Sequence, residues 1–444
     1  MNRRTLLLFT LWFAIFTVCA HAQAVKVITG ATLIDVAAGK VIPNAVIVID
    51  GTRIVQAGTA AETSIPLGAT RAETIDASGK FVIPGLADMH NHLQTGSLGP
   101  PQNLKANLAR LLAVGVTSVF DPSLSKADFA DLKKVVAQGD YPYPHFFGTG
   151  PIITVKADRF GAEVGAPTPE TVAEAQAAVK DLKAAGVDAI KIARDDLSWC
   201  SSIRMPLMKL DVLAALIKEA HDQGLRAFVH APMLAQAKEA LSAGADGLMH
   251  GILDKPVDAE FIDLMKRNHA TYVPTLSLYE DVADVASWMR RQSGFDQRKL
   301  FPAAVYDLLG SPAAVGQFTA IFDKTKVTKD SLPTARANVK KVAEAGIPIV
   351  LGTDSGFIGV MLGVSTQLEL SLMVEAGLKP MDALRAATLD AAKMIGREKE
   401  IGVVEKGHLA DLVILDANPL EDIRNVRRIY RVVKAGVAYD PATR

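Results

Sequence analysis

Residues 81–93 read FVIPGLADMHNHL. An apolar run of strand type breaks at Pro84-Gly85, and Asp88, His90 and His92 follow at alternate positions. Alternate residues of an extended chain point to one side, so these three side chains are expected to project together. Two imidazoles so spaced form a clamp for a divalent cation, and the carboxylate before them is placed to orient a ring. H-x-H alone is a weak signal. Its meaning depends on the sheet to which the strand belongs.

Downstream the chain repeats one unit: an amphipathic helix, a glycine that stops it, then a short apolar strand. LLAVGVTSVFDPS (111–123), LKAAGVDAIKIARDD (182–196), KEAHDQGLRAFVHAP (218–232), LSAGADGLMHG (241–251) and VAEAGIPIVLGTDSG (342–356) all follow it. Glycine just past a helix end supplies a left-handed cap, and the β-rich run beyond is the next strand. With residues 81–93, PHFFGTGPIIT (144–154) and ATYVPTLSLY (270–279), eight strands alternate with helices. Such alternation predicts an α/β fold, a (β/α)8 TIM-type barrel over 83–395, with a doubly wound open sheet as the alternative. Residues 23–82 and 396–444 carry β-patterned runs broken by Gly and Asn, too few on either flank to bury a core. Together they are expected to form one small β-sandwich from both chain ends. The long stretch from Ser277 to Pro333 reads as a helical insertion over the barrel mouth.

Residues 1–22 have the layout of a secretory signal: Arg3-Arg4, an apolar run from Leu6 to Val18, and Ala20-His21-Ala22. The expected destination is the periplasm or the exterior, by general secretion, with a fainter match to the twin-arginine route. Cleavage removes Cys19 and leaves Cys200 alone, so no internal disulfide is expected. Of 48 Lys and Arg against 48 Asp and Glu, the leader takes Arg3 and Arg4, leaving 46 against 48, a charge of −2. Nucleic acid and anionic membranes are therefore not expected partners, no later run is long enough to span a membrane, and self-association stays open.

Chemistry in such a barrel collects at the C-terminal ends of the strands. His90 and His92 end strand one, His230 strand five and His250 strand six, while Asp354 ends strand eight beside strand one. His145, His221, His269 and His408 fall elsewhere and read as structural. Lys191, inside strand four, is costly to bury without a partner. Either an ion pair with Asp195, Asp196 or Asp354 relieves it, or carbon dioxide converts it to a carbamate able to bridge two cations.

PGLADMHNH, a strand-four lysine, single histidines on strands five and six and a strand-eight aspartate together resemble the amidohydrolase superfamily, in its prolidase-like and imidazolonepropionase-like branch. The closing GHLADLVILDANPLEDIRNV (407–426) fits the same pattern. The resemblance implies two divalent ions, zinc by default. His90 and His92 would hold one ion, His230 and His250 the other, with carboxylated Lys191 as bridge. Asp354 would be both ligand and proton carrier. It also implies attack of a metal-bridging hydroxide on a small-molecule amide, such as an N-acyl amino acid, dipeptide or lactam. An esterase or lactonase with the same site, a one-metal deaminase and a non-catalytic binding protein are the competing readings. HAPM after strand five lacks the tyrosine that many prolidase-like relatives carry there, which leaves Tyr272 or Tyr279 as candidate oxyanion donors. Arg159 and Arg194 are candidate carboxylate clamps and Trp199 an apolar wall, each with ordinary packing or ion pairing as the alternative. Cys200 reads as inert.

Overall fold

A computed structural model describes residues 25–63, 73–93, 103–138, 143–158, 161, 164–201, 204–313, 315–316, 327–357 and 359–440. The proposed leader lies outside them. Strands β1 (Lys26–Asp35), β2 (Lys40–Asp50), β3 (Arg53–Thr59), β4 (Glu73–Asp76) and β5 (Phe81–Pro84) come from the N-terminal flank. Three further parallel strands are β6 (Leu86–Asp88), β7 (Val116–Asp121) and β8 (His145–Gly148), and four more are β9 (Ala189–Ala193), β10 (Arg226–His230), β11 (Gly247–Met249) and β12 (Thr271–Val273). The C-terminal flank supplies β13 (Leu412–Leu415), β14 (Ile429–Lys434) and β15 (Val437–Tyr439).

The two flanks meet in one eight-stranded sheet, ordered β15-β14-β13-β5-β1-β2-β3, with β4 also paired to β1. Both ends of the chain thus contribute strands to one hydrogen-bonded sheet, in which β13 runs antiparallel to β5. Its apolar face encloses a separate core that includes Ile28, Ile47, Ile49, Leu412 and Val433. β5 and β6 are separated only by Gly85, so the strand that leaves this sheet leads straight into the parallel sheets.

Helices alternate with β7 to β12, and their apolar faces form the main core. Helix Leu210–Asp222 buries Leu213, Leu216, Ile217 and Ala220, the i, i+3, i+4, i+7 stripe expected of a helix covering a sheet. Two extended segments link the parallel sheets. Ile153 donates its N–H to the Lys191 carbonyl (2.8 Å) and accepts that of Ala193 (2.9 Å). On the other side Val350 donates to the Tyr272 carbonyl (3.0 Å), and Met89 donates to that of Leu351 (2.9 Å). The eighth sequence-read strand is therefore extended chain held by isolated bridges, Tyr272↔Ile349 and Asn91↔Ser355, and not a regular ladder. The left-handed Asp354 (φ +62°) interrupts its pleat. The insertion packs into the core: Trp288 is 2% exposed, and its indole N–H and the Gln292 amide both donate to the Gly359 carbonyl. No helix among the described residues is long and apolar enough to cross a membrane.

Candidate active site

β6 ends at Asp88, and the chain bends before the histidines. The alternation assumed from sequence therefore stops one residue too soon for Asp88 to orient an imidazole. Its buried carboxylate instead accepts the N–H groups of His90 (3.3 Å) and Thr353 (3.2 Å) and the hydroxyls of Thr353 and Thr366 (2.8 Å each). It ties strand one to the eighth segment by the backbone. Burial pushes this carboxyl up to about 6, against the pull of those donors. The two segments approach closely because residue 352 is glycine: a Cβ there would lie 2.7 Å from that of His90.

His90, His92, Lys191, His230, His250 and Asp354 all line one cavity of about 330 Å³. Asp354 Oδ1 lies 3.1 Å from His90 Nε2 and 2.7 Å from His92 Nε2. The His250 ring is 4.6 Å from that of His90 and 4.3 Å from that of His230, centroid to centroid. Asp354 and His250 (φ +133°) both hold positive φ, a conformation costly for residues with a Cβ and concentrated at functional sites. Burial drives His90 down to about 3, and burial with the neighbouring His230 drives His250 well below the usual imidazole range. Both are neutral at pH 7, the ligating form. Burial likewise brings Lys191 down to about 7, opposed by Asp354 and Asp121. Burial also opposes the ionised Asp354, but His90 and His92 outweigh it and hold the carboxyl well below the usual range.

This donor set suits a divalent cation. Ligand atoms of His90, His250 and Asp354 lie within 4.8 Å of one another, all three residues buried. His90 Nδ1 is buried with no hydrogen-bond partner in the described structure. A cation coordinates such a nitrogen and offsets the cost of burying it.

Asp121 and Thr275 escaped the sequence reading, and Asp195, read there as an ion-pair partner for Lys191, meets Trp199 and His230. Asp121, at the tip of β7, accepts the Leu93 N–H (2.7 Å) and lies 4.0 Å from His92 Nδ1. Asp195 accepts from the Trp199 indole (2.8 Å) and sits 2.9 Å from His230 Nε2. Thr275 Oγ1 lies 2.8 Å from His250 Nδ1. The strand-tip rule that selected the histidines also points to Asp121. Nothing local marks Thr275.

A model of the amidohydrolase family matches residues 81–438. The chain belongs to the amidohydrolase family. It is thus a hydrolase acting on carbon–nitrogen bonds, of a family that is typically metal-dependent. It is 26% identical to the ochratoxinase of Aspergillus niger over 427 residues, covering 87% of this chain and 80% of that one. It is also 26% identical to a dihydroorotase of Pelotomaculum thermopropionicum over 442 residues, covering 90% and 91%. Among solved structures, a Xaa-Pro dipeptidase with bound methionine superposes with a TM-score of 0.73 at 27% identity, covering 94% of this chain and all of that one.

In this amidohydrolase the expected substrate contacts are mostly committed elsewhere. Arg194 is 5% exposed; its guanidinium is held by Glu239 (2.7 and 2.9 Å) and the Met208 carbonyl, so it is no carboxylate clamp. The Tyr272 hydroxyl accepts the Ile252 N–H (2.7 Å), and that of Tyr279 donates to the Gly251 carbonyl (2.6 Å). Both tyrosines are fully buried, burial raises both phenols, and neither lines the cavity, which corrects their reading as oxyanion donors. Arg159 lies outside the described residues. Trp199 does form a wall, with Ile152, Val164, Met205, Leu278 and Phe357. Cys200 is also on the wall, its thiol pushed up by burial, away from the reactive thiolate. The outlying histidines serve contacts: His145 with Asp411 (2.7 Å), His221 with Asp246 (2.8 Å), His408 with the Glu398 carbonyl (3.1 Å).

Proposed function

We propose that this protein is an exported, binuclear metal-dependent hydrolase of small molecules that cleaves an amide-type C–N bond in an N-acyl amino acid, dipeptide or lactam. On this reading the parallel strands and the eighth segment close as a (β/α)8 barrel over residues 83–395. The flanks 23–82 and 396–444 fold as its small β-sandwich, and residues 1–22 are the leader that directs the chain to the periplasm or beyond. What carries the reading is the convergence of four histidines, a buried lysine and an aspartate, from distant parts of the sequence, on one cavity.

His90 and His92 would hold one ion with Asp354, and His230 and His250 the other. Lys191, carboxylated on Nζ, would lie between them. Divalent ions, zinc by preference, supply Lewis acidity, polarising a carbonyl and making water acidic enough to ionise near pH 7. The chain's own contributions are positional and protonic. Asp354 receives the proton of the attacking water on its carboxylate and delivers it to the departing nitrogen. Asp195 orients His230 through Nε2, and the apolar wall excludes bulk water from the reacting carbonyl.

The test is a hydrolysis screen of N-acyl amino acids, dipeptides and lactams, each amide paired with its matched ester, on zinc- and manganese-loaded protein. Amide turnover that falls at least about 100-fold in Asp354→Asn is the expected result. Turnover unchanged by that substitution overturns the assignment of Asp354. Cleavage of esters alone moves the activity to an esterase or lactonase. Amino-terminal sequencing of the protein exported by its host tests cleavage after Ala22.

A further inference from the structure

Helix Leu276–Ala283 begins without the cap that its own sequence offers. Thr275 occupies the N-cap position, where a threonine hydroxyl ordinarily accepts the N–H of the second or third helical residue. Here it makes no such bond. Its Oγ1 faces His250 Nδ1 at 2.8 Å, and the residue is fully buried at φ +46° and ψ +49°, the left-handed region that β-branched residues avoid.

Another helix takes over the donors. Glu369, fully buried within Val364–Glu375, accepts the N–H of Leu276 at 2.8 Å, that of Ser277 at 2.7 Å and the Ser277 hydroxyl at 2.7 Å. Its side-chain oxygens satisfy two orphan helix donors, while burial pushes the carboxyl up to about 8, so the cap rests on these hydrogen bonds rather than on charge. It also fixes the turn that presents Thr275.

We propose that Glu369 is a positioning residue for the hydrolytic centre: by capping this helix in place of Thr275, it frees the threonine hydroxyl to hold the His250 ring. With Nδ1–H donated to Thr275, Nε2 keeps its lone pair for a cation. The inference rests on the metal-dependent reading above and assigns a function to a side chain that touches neither cation ligand nor substrate. A carboxylate serving stability alone would affect melting and leave the histidine unchanged.

Two readouts separate these roles. The first is zinc affinity of the full chain at 25 °C, by competition with a chromophoric chelator, on variants shown to be folded by circular dichroism. Glu369→Gln and Thr275→Val should each weaken the more loosely held zinc about 10- to 100-fold. The double variant should lose little beyond either single one, because both act through one contact. Thr275→Ser, which keeps the hydroxyl, should restore affinity to within about threefold of the parent. The second is the tautomer of His250 in metal-free protein, read by NMR after selective ¹⁵N-histidine labelling. The parent should show Nδ1–H, and Glu369→Gln a mixture. Folded Glu369→Gln with parental zinc affinity and an unchanged tautomer overturns the proposal, as do fully additive losses. If Glu369→Gln does not fold, Glu369→Asp, one methylene shorter, takes its place. If the parent binds no zinc, the metal-dependent reading falls, and the tautomer measurement still decides the role of Glu369.

Discussion

Replacing Asp411 with alanine should cost the fold about 3–5 kcal/mol, because it strands a buried ammonium. Asp411 and Lys434 are 5% and 3% exposed, and Lys434 Nζ lies 3.0 and 3.1 Å from the two carboxylate oxygens. The same carboxylate sits 2.7 Å from His145 Nε2 and accepts the Ala435 N–H at 2.8 Å, so it joins the eight-stranded sheet to the start of β8. Without it the ammonium keeps, among the described residues, the His145 ring, 2.6 Å away. At a urea dependence of about 3 kcal/mol per molar, the loss moves the unfolding midpoint down by roughly 1–1.7 M. The volume-matched pair Asp411→Leu with Lys434→Met should recover most of it, since both charges leave together. Acid gives an independent check. Burial works against the Asp411 carboxylate, but Lys434 and His145 outweigh it and hold the carboxyl well below its ordinary 3.8. Its stabilising contribution is thus complete above about pH 4 and lost as pH falls further. Below that point the parent should lose stability that the double variant keeps. A single variant less than about 1 kcal/mol below the parent, or a double variant no better than the single, refutes the reasoning.

Gly352→Ala should destabilise by about 1–3 kcal/mol and weaken zinc binding, since its Cβ would sit 2.5 Å from Val273 Cγ1 and 2.7 Å from His90 Cβ; denaturant melts and chelator competition measure both. Lys191→Met should abolish amide turnover, and ¹³C NMR of the parent in labelled bicarbonate should show one carbamate resonance that the variant lacks. Stripping divalent ions with a chelator should lower the melting temperature, and restoring zinc at about 100 times its dissociation constant should return about 2.7 kcal/mol.

The helix–glycine–strand grammar was legible because it is local, and it located β7, β9, β10 and β11, with Lys191 on β9, His230 ending β10 and His250 directly after β11. Regularity beyond a strand's end was not legible, which is why Asp88 was assigned an imidazole and holds backbone instead. Partnerships between distant segments were equally hidden. Arg194 meets Glu239 45 residues on, and Glu369 caps a helix 92 residues earlier. A sequence pattern shows which side chains are able to pair and leaves open which do. Tyr272 and Tyr279 looked available as donors because the carbonyl and amide that occupy them belong to loops with no periodicity of their own.

The order of strands in the mixed sheet also constrains biosynthesis. β13 lies between β5 and β14, so an N-terminal strand borders a partner translated more than 300 residues later. Until residue 415 clears the ribosome, β5 keeps one row of amides and carbonyls bare, a template for any passing strand. A transcript truncated before that point yields a polypeptide that contains every proposed metal ligand and a sticky seam, the kind of product that proteases and chaperones intercept.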